Sequence, residues 1–104
     1  MVYNQSMLTI IESDTFQGWI SRLKDRKGRQ IVIDRIKRMA AGNFGDCKSV
    51  GDGVFELRFR FGPGYRVYYI CDGDTIIVLL CGGDKSSQDR DIRRAKTMAI
   101  DRSW

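Results

Sequence analysis

Apolar and charged side chains alternate between residues 54 and 61, and this period of two predicts a β-strand with two unlike faces. The apolar positions are Phe55, Leu57, Phe59 and Phe61. The charged positions on the opposite side are Glu56, Arg58 and Arg60. We therefore expect a sheet with one hydrophobic face and one charged face that is free to bind a ligand.

A second strand is predicted over residues 65–71, after the Gly-Pro-Gly turn at residues 62–64, and its alternation places Arg66 and Tyr68 on one side. If the two strands pair as a hairpin, Arg58 and Arg66 share a face. Two guanidinium groups beside a tyrosine suit a phosphate-rich ligand, because each guanidinium can donate two hydrogen bonds to phosphate while the ring offers a stacking surface. These side chains are the main indication of function.

The N-terminal part of the chain predicts a short strand at residues 8–11 and two amphipathic helices. Ser13 or Asp14 can cap the first helix. Its apolar positions follow the helical spacing: Phe16, Trp19, Ile20 and Leu23. We expect the chain to turn around Gly28 and to enter a second helix that ends at Gly42 as its C-cap. The inner positions of this second helix are Val32, Ile36, Met39 and Ala40.

The outer side of this helical hairpin is rich in cations: Arg22, Lys24, Arg26, Lys27, Arg29, Arg35, Lys37 and Arg38. Two interpretations remain open for it. It is either a solvated face on which Asp25 and Asp34 pair locally with the cations, or a surface that contacts RNA.

The middle of the chain, residues 43–53, is polar and rich in glycine, so we predict a loop that holds Lys48 near the sheet. A hairpin turn at the Asp-Gly pair of residues 72–73 leads to a third strand at residues 75–81.

A last helix can begin at Ser86 or Ser87, and its inner positions are Ile92, Ala95, Met98 and Ala99. The predicted order is β-α-α-β-β-β-α. We therefore expect one α+β domain over residues 1–104, in which an N-terminal strand and a helical hairpin pack on a small antiparallel sheet with a C-terminal helix.

The amino-acid composition indicates which ligands the chain attracts and which catalytic sites it cannot form. The net charge of +5 and a pI near 9.4 predict attraction to RNA, DNA or an acidic protein. The chain contains no histidine, which excludes Ser-His-Asp and Cys-His sites and the usual zinc sites. The start of the chain lacks the pattern of a secretory signal and the apolar runs are too short to span a bilayer, so we expect a cytoplasmic location.

The three cysteines are odd in number and form no CxxC pair, so a disulfide framework is not expected. Cys71 and Cys81 fall in predicted strands and are interpreted as small core residues. The alternative, in which Cys81 is a nucleophile, lacks a histidine that could activate the thiol.

The segment GGDKSS at residues 82–87 joins the last predicted strand to the last helix. Its backbone amides, the Lys85 ammonium and the Ser86 hydroxyl converge at a helix N-terminus, where anions are favoured. By itself the segment is better explained as a turn and helix cap, because it lacks the spacing of the known nucleotide-binding loops. The neighbouring arginines favour a phosphate site.

Three segments carry a resemblance to a known family: ELR at residues 56–58, GPGYRVYY at residues 62–69 and LLCGGDKSSQDRDIRRAK at residues 79–96. They resemble the RelE/ParE toxin superfamily, and within it the addiction-module killer proteins that are grouped with HigB-like toxins. The likeness runs from about residue 16 to residue 99. It implies a small antiparallel sheet packed against an N-terminal helical hairpin, in agreement with the pattern above.

The resemblance also implies an activity, the ribosome-dependent cleavage of mRNA by attack of the ribose 2′-hydroxyl on the adjacent phosphate. Neither a metal nor another cofactor is implied, because the nucleophile belongs to the substrate. Carried over by position, the arginine that stabilises the transition state is Arg66, and the accompanying cations are Arg58 and Lys85. The positions expected to contact RNA are Lys48, Arg60, Tyr68, Ser86, Gln88 and Asp91.

The sequence departs from the family pattern at two places. Asp91, with Gln88 one turn earlier, stands where some relatives have a tyrosine or histidine for proton transfer, and Glu56 stands where some have lysine. Both changes add negative charge to a site that binds RNA, so the general acid and base stay unassigned.

Three functions are therefore compared. The first is an mRNA endoribonuclease that is the toxin of a type II toxin–antitoxin pair and inhibits translation. The second is a ParE-like inhibitor of DNA gyrase without a catalytic site, and the third is a plain RNA- or protein-binding module. The expected partners of the toxin are a helix-turn-helix antitoxin encoded by an adjacent gene, the ribosome and mRNA, and no membrane.

Overall fold

A five-stranded sheet with helices on both faces forms the centre of the fold. The computed structural model describes residues 7–104. The elements are β1 (Thr9–Glu12), α1 (Asp14–Arg22), α2 (Arg26–Ala40), β2 (Cys47–Gly51), β3 (Val54–Arg58), β4 (Arg66–Asp72), β5 (Ile76–Gly83), a 3₁₀ turn (Lys85–Ser87) and α3 (Gln88–Asp101). The predicted α+β class is confirmed.

The strands lie in the order β1-β5-β4-β3-β2. Strands β2 to β5 form an antiparallel meander, and β1 pairs in parallel with the outer side of β5. The register places Arg58 opposite Arg66 and Glu56 opposite Tyr68. Because directly opposite residues in an antiparallel pair point to the same side, these four side chains share one face of the sheet. The predicted hairpin and the shared face of the two arginines are confirmed.

Each face of the sheet has its own hydrophobic cluster. Helices α1 and α2 cover one face, with buried residues that include Phe16, Val32 and Leu79. Helix α3 covers part of the other face, where Ala95 and Met98 pack on the sheet. The prediction that this second face is charged and free is therefore wrong where α3 covers it, because period-two alternation shows which residues share a face but not what covers that face.

Strand β2 lies within the segment that was predicted as a loop. It is joined to β3 by Asp52 and Gly53, whose φ angles of +56° and +78° are those of a two-residue hairpin turn. The Asp-Gly pair was the available signal for this hairpin. The strand itself gave little pattern, because it is a mostly exposed edge strand with polar side chains.

The chain reverses at residues 23–25, earlier than the predicted turn at Gly28, which instead lies in the first turn of α2. The N–H of Gly28 donates to Asp25 Oδ1 at 2.9 Å, and Tyr65 Oη donates to Asp25 Oδ2 at 2.8 Å. These hydrogen bonds lower the pKa of Asp25. A Cβ at Gly28 would lie 2.5 Å from the Tyr65 ring, so the glycine allows close packing of α2 on the start of β4.

Of the two predictions that a cysteine lies in the core, one is confirmed and the other is wrong. Cys81 is buried in the cluster under α3, and burial raises the pKa of its thiol to about 12. The core interpretation of Cys81 is therefore confirmed, and burial disfavours the ionised thiol that a nucleophile would need. The core interpretation of Cys71 is wrong, because this residue is exposed near the end of β4.

The helices described within residues 7–104 are all too short or too polar to cross a bilayer.

The side chain of Arg35 projects from α2 toward the loop before β2. The prediction that Arg35 belongs to the outer cationic face of the helical hairpin is therefore wrong. Its Nε donates to the carbonyl oxygen of Phe44 at 3.2 Å, and its Nη2 donates to that of Asp46 at 3.0 Å. Its Nη1 donates to the carbonyl oxygen of Arg58 at 3.0 Å, and the guanidinium carbon lies 5.0 Å from the centre of the Phe59 ring. One side chain thus fixes the loop that carries Asp46.

We predict that Arg35→Ala lowers the free energy of unfolding by roughly 2–4 kcal/mol, because three carbonyl oxygens lose a charged donor. Arg35→Lys is expected to lose less, since one ammonium keeps the charge but cannot reach all three carbonyls. Urea unfolding measures the difference. Arg38→Ala, at an exposed position of the same helix, should cost less than about 1 kcal/mol. Equal losses at Arg35 and Arg38 would show that the carbonyl contacts contribute nothing.

Candidate nucleic-acid interface

The ends of β3 and β4 bring the three predicted catalytic cations together. Arg58 and Arg66 are direct partners in the ladder between these strands. The turn at residues 62–64 lies close beyond them, and the N–H of Lys85 donates to the carbonyl oxygen of Pro63 in this turn at 3.3 Å. The 3₁₀ turn before α3 therefore places Lys85 at the same end of the sheet as the two arginines.

Arg66 is held from two sides and only 13% of its side chain is exposed. Its Nη1 donates to the carbonyl oxygen of Gly64 at 2.6 Å, and its Nε lies 3.5 Å from Glu56 Oε2. Within residues 7–104, its other N–H groups donate to no protein atom. A phosphate could therefore bind the remaining edge of the guanidinium without displacing either contact.

Glu56 lies beneath Arg66 and is fully buried, although its sequence position predicted an exposed face. Its Oε2 accepts hydrogen bonds from Tyr68 Oη and Gln88 Nε2, both at 2.9 Å. Its Oε1 has no hydrogen-bond donor in the part of the chain that the structure describes. This carboxylate therefore connects β3, β4 and the first turn of α3.

Tyr68 is fully buried, so the predicted stacking surface for an RNA base does not exist at this position. Burial and the hydrogen bond to Glu56 both raise the pKa of the phenol. Tyr68 is therefore a donor to the buried carboxylate. Gln88 is partly exposed and has the same role from α3.

Arg58 is paired with Asp46, a residue that the sequence did not single out. Its Nη2 and Nε lie 2.9 and 3.3 Å from Asp46 Oδ1. Arg60 Nε is 3.6 Å from Asp46 Oδ2, while 89% of the Arg60 side chain remains exposed. The hydrogen bond from Arg58 lowers the pKa of Asp46. A phosphate that binds Arg58 must therefore compete with Asp46 for the same guanidinium.

The predicted positions Lys48, Lys85 and Ser86 are all exposed. Lys48 is the direct partner of Glu56 on β2, so it projects from the same face as the two arginines. Neither lysine forms an ion pair within residues 7–104. This end of the sheet holds five cations, Lys48, Arg58, Arg60, Arg66 and Lys85, and four carboxylates, Asp46, Glu56, Asp84 and Asp91. The cations outnumber the carboxylates by one.

Asp91 is buried, and within residues 7–104 it forms no ion pair with Arg58, Arg66 or Lys85. Its Oδ2 accepts a hydrogen bond from Ser87 Oγ at 2.5 Å, and a Cβ at Gly83 would overlap with its carboxylate. Gly83 thus makes room for the pair that fastens the start of α3 to β5. No contact with Arg66 supports the proton-transfer role that the resemblance suggested for this position.

Asp91 lines a separate cleft of about 570 Å³ between α1 and α3. Three arginines, Arg22, Arg90 and Arg94, and three aspartates, Asp14, Asp84 and Asp91, line this cleft. Because these charges balance, the cleft attracts an anion less strongly than the end of β3 and β4 does. Ser86, which also lines it, donates to the capping carboxylate of Asp84. Asp84 thus caps the 3₁₀ turn, while Ser87 is the N-cap residue of α3, as predicted, although its side chain forms no capping hydrogen bond with that helix.

Among residues 7–104 there is no group of three His, Cys, Asp or Glu side chains that could hold a metal ion.

Asp46 and Arg35 are the parts of the site that the sequence analysis missed. Asp46 precedes Lys48 by two residues, so the alternation could have placed it on the arginine face once β2 was recognised. The signal for Arg35 was its spacing, because it lies three residues after Val32 and four before Met39, at the edge of the inner face of α2.

The fold is that of the RelE toxins. The free structure of an arginine mutant of Escherichia coli toxin RelE matches 90% of this chain and 98% of that chain with a TM-score of 0.70, at 12% sequence identity. At this identity the likeness shows the fold alone. The protein is thus a RelE-like α+β domain with a cationic site at one end of its sheet.

The sequence comparisons show the family. The model for "Phage derived protein Gp49-like (DUF891)" matches residues 19–102. An uncharacterized protein of Haemophilus influenzae is 53% identical over 85 residues, which cover 82% of this chain and 86% of that protein. The chain belongs to the phage-derived Gp49-like family.

The ion pair between Asp46 and Arg58 predicts a pH-dependent stability. Because the folded protein lowers the pKa of Asp46 from its ordinary 3.8, the pair stabilises the fold fully above about pH 4 and this contribution is lost as the pH falls through the folded pKa. We expect Asp46→Asn to melt below the wild type at neutral pH, and the two melting temperatures to converge in acid. Asp74→Asn, at an exposed turn position, gives the baseline. A difference that is the same at every pH would contradict the pairing.

Proposed function

We propose that this protein is the toxin of a type II toxin–antitoxin pair and that it cleaves mRNA on the ribosome, which stops translation. The observation that carries the proposal is the arrangement of Arg58 opposite Arg66 beside Lys85, on a net positive end of the sheet. The RelE toxin fold and the Gp49-like family support the toxin role. The closer assignment to HigB-like toxins is part of the proposal.

In the proposed reaction the ribose 2′-hydroxyl gives its proton to solvent water, and its oxygen attacks the adjacent phosphorus. The bond from phosphorus to the 5′ oxygen breaks, and that oxygen takes up a proton. The products are a 2′,3′-cyclic phosphate and a 5′-hydroxyl end. Because the nucleophile belongs to the substrate, the protein has to orient the RNA, stabilise negative charge and assist proton transfer.

Arg66 is assigned the stabilisation of the transition state. Two of its contacts, to Glu56 and to Gly64, are present before any RNA binds. The free N–H groups of its guanidinium are therefore already oriented when negative charge develops on the phosphate oxygens, and preorganised donors of this kind are the most effective ones. Arg58, which is more exposed, is assigned to a phosphate of the bound RNA.

Lys85 is assigned the delivery of a proton to the departing 5′ oxygen. The other titratable groups near Arg66 are enclosed: Glu56 and Tyr68 are buried, and Asp46 is paired with Arg58. Lys85 is exposed and lies against the turn that Arg66 also contacts. An ammonium in this position can both donate a proton and attract phosphate.

A second candidate function is a ParE-like inhibitor that binds DNA gyrase without catalysis. The observation that favours it is the internal pairing of both arginines with Asp46 and Glu56, which lowers the charge offered to RNA. The two functions differ in what fails first after expression. An endoribonuclease depletes mRNA, whereas a gyrase inhibitor blocks DNA replication.

We predict that Arg66→Ala abolishes growth arrest and mRNA cleavage while the protein stays folded. The loss of one preorganised donor to the transition state lowers the rate by about 10²–10³-fold, or roughly 2.7–4 kcal/mol. Arg66→Lys should restore only part of the activity, because an ammonium cannot replace the planar guanidinium. Growth after induction and cleavage of mRNA on purified ribosomes are the measurements.

Arg102→Ala provides the matched control, since it removes an exposed arginine near the end of α3. It should leave both measurements near the wild-type level. If a folded Arg66→Ala protein arrests growth as well as the parent does, the assigned site is wrong. If growth stops with mRNA intact and replication blocked, the gyrase function replaces the RNase function.

An antitoxin is the second proposed partner, and we expect it to be a helix-turn-helix protein from the adjacent gene. Because Arg58 and Arg66 already have internal carboxylates, an acidic segment of the antitoxin gains most by pairing with Lys48 and Lys85, which lack ion pairs within residues 7–104.

Co-expression with the neighbouring gene product should therefore give a complex that can be purified and should relieve growth arrest. Reversing both charges, with Lys48→Glu and Lys85→Glu, should weaken the complex at low salt more than at high salt. Failure to form any complex, together with persistent growth arrest, would refute the toxin–antitoxin assignment.

A further inference from the structure

A fully buried glutamate lies directly beneath the arginine that is assigned to the transition state. Glu56 Oε2 is 3.5 Å from Arg66 Nε and is bonded by Tyr68 and Gln88 at 2.9 Å. We propose that Glu56 is a positioning residue that sets the orientation of the Arg66 guanidinium for catalysis. This inference rests on the proposed RNase function.

The position of Glu56 argues against a direct role in catalysis. Its exposed fraction is 0%, so RNA cannot touch it. It can act on the reaction only through the side chains that contact it. Tyr68 is buried, whereas Arg66 and Gln88 are partly exposed. Of these two, Arg66 carries the positive charge that can stabilise a phosphate.

Stability alone does not explain why a carboxylate is buried at this position. Removing an ionised group from water is unfavourable, and a buried ion pair often stabilises a protein no better than apolar side chains of the same size. The pair is also incomplete, because Glu56 Oε1 and Arg66 Nε both lack a hydrogen-bond partner in the described part of the chain. The contact is therefore better explained by the orientation that it gives to Arg66 than by the stability that it adds.

The geometry explains how the orientation is set. Arginine has a long flexible stem, and a single contact would leave its guanidinium free to rotate. Glu56 forms an ion pair with the guanidinium at Nε, and the carbonyl oxygen of Gly64 accepts a hydrogen bond from Nη1, so two different segments restrict the planar group. Tyr68 and Gln88 in turn keep the carboxylate from rotating. The edge that remains for phosphate is thereby presented in one orientation.

Glu56 helps to orient Arg66, but its negative charge weakens the binding of RNA. Its negative charge lowers the potential of a site that must attract RNA, so its presence opposes the binding of substrate. Loss of this charge should therefore leave KM unchanged or lower it. Loss of the orientation should reduce kcat, since a displacement of the order of 1 Å at a catalytic group can reduce the rate about 100-fold. These two effects separate positioning from a general loss of structure.

The test uses Glu56→Gln, which keeps the shape of the side chain and removes its charge. On ribosomes programmed with mRNA, we expect kcat to fall about 10- to 100-fold while KM stays the same or decreases. Met98→Ala is the matched control, because Met98 is buried in the same cluster under α3 but lies far along the helix from the site. It should lower the melting temperature and leave kcat of the folded protein unchanged.

A double-mutant cycle shows whether Glu56 acts through Arg66. If it does, Glu56→Gln should have less than about a threefold effect on kcat in an Arg66→Ala background, although it has a large effect in the wild type. Effects on kcat that multiply independently would overturn the proposal. So would a Glu56→Gln protein with wild-type kcat, or one whose kcat falls only as its folded fraction falls.

A measurement without RNA separates this proposal from the proposed function. In the wild-type protein the Arg66 Nε–H group should give a resolved NMR signal that exchanges slowly with water, and Glu56→Gln should shift and broaden it. If this change occurs but Arg66→Ala leaves cleavage intact, the proposed function fails and the positioning contact stands. If Arg66→Ala abolishes cleavage and Glu56→Gln changes neither the NMR signal nor kcat, the positioning role alone is refuted.

Discussion

The buried carboxylate of Glu56 is the interaction on which the cationic end of this molecule depends. Water cannot reach it, so its charge must be balanced by donors from the protein. Tyr68 on β4 and Gln88 on α3 donate hydrogen bonds to it, and the Arg66 guanidinium on β4 forms an ion pair with it. The position of Arg66 is therefore a consequence of how α3 packs on the sheet, and the site is complete only when the whole domain has folded.

A second carboxylate balances the other arginine. Asp46 pairs with Arg58, and its loop is fixed by the hydrogen bonds of Arg35 from α2. Two guanidinium groups can thus lie side by side on β3 and β4 in the free protein without uncompensated repulsion. The two carboxylates have different consequences for a ligand. Phosphate must compete with Asp46 for Arg58, whereas it can bind the free edge of Arg66 while Glu56 stays in place.

The helices on both faces of the sheet restrict where such a ligand can bind. Helices α1 and α2 cover one face and α3 covers part of the other, so the charged face is open only near the ends of β3 and β4. At this end the turn at residues 62–64 and the 3₁₀ turn meet through the hydrogen bond from Lys85 to Pro63. Two connections that are distant in sequence therefore form the border of one small site.

The sequence by itself determined β1, β3, β4 and β5 and the shared face of Arg58 and Arg66, because alternation and turn residues act between neighbours along the chain. The edge strand β2 had no such alternation and was predicted as a loop. Only the tertiary structure decided which polar side chains are buried. Glu56 and Gln88 are 32 residues apart, and Arg35 bonds to Arg58 across 23 residues. A local pattern does not identify such distant partners, and the burial of a polar side chain depends on whether they are present.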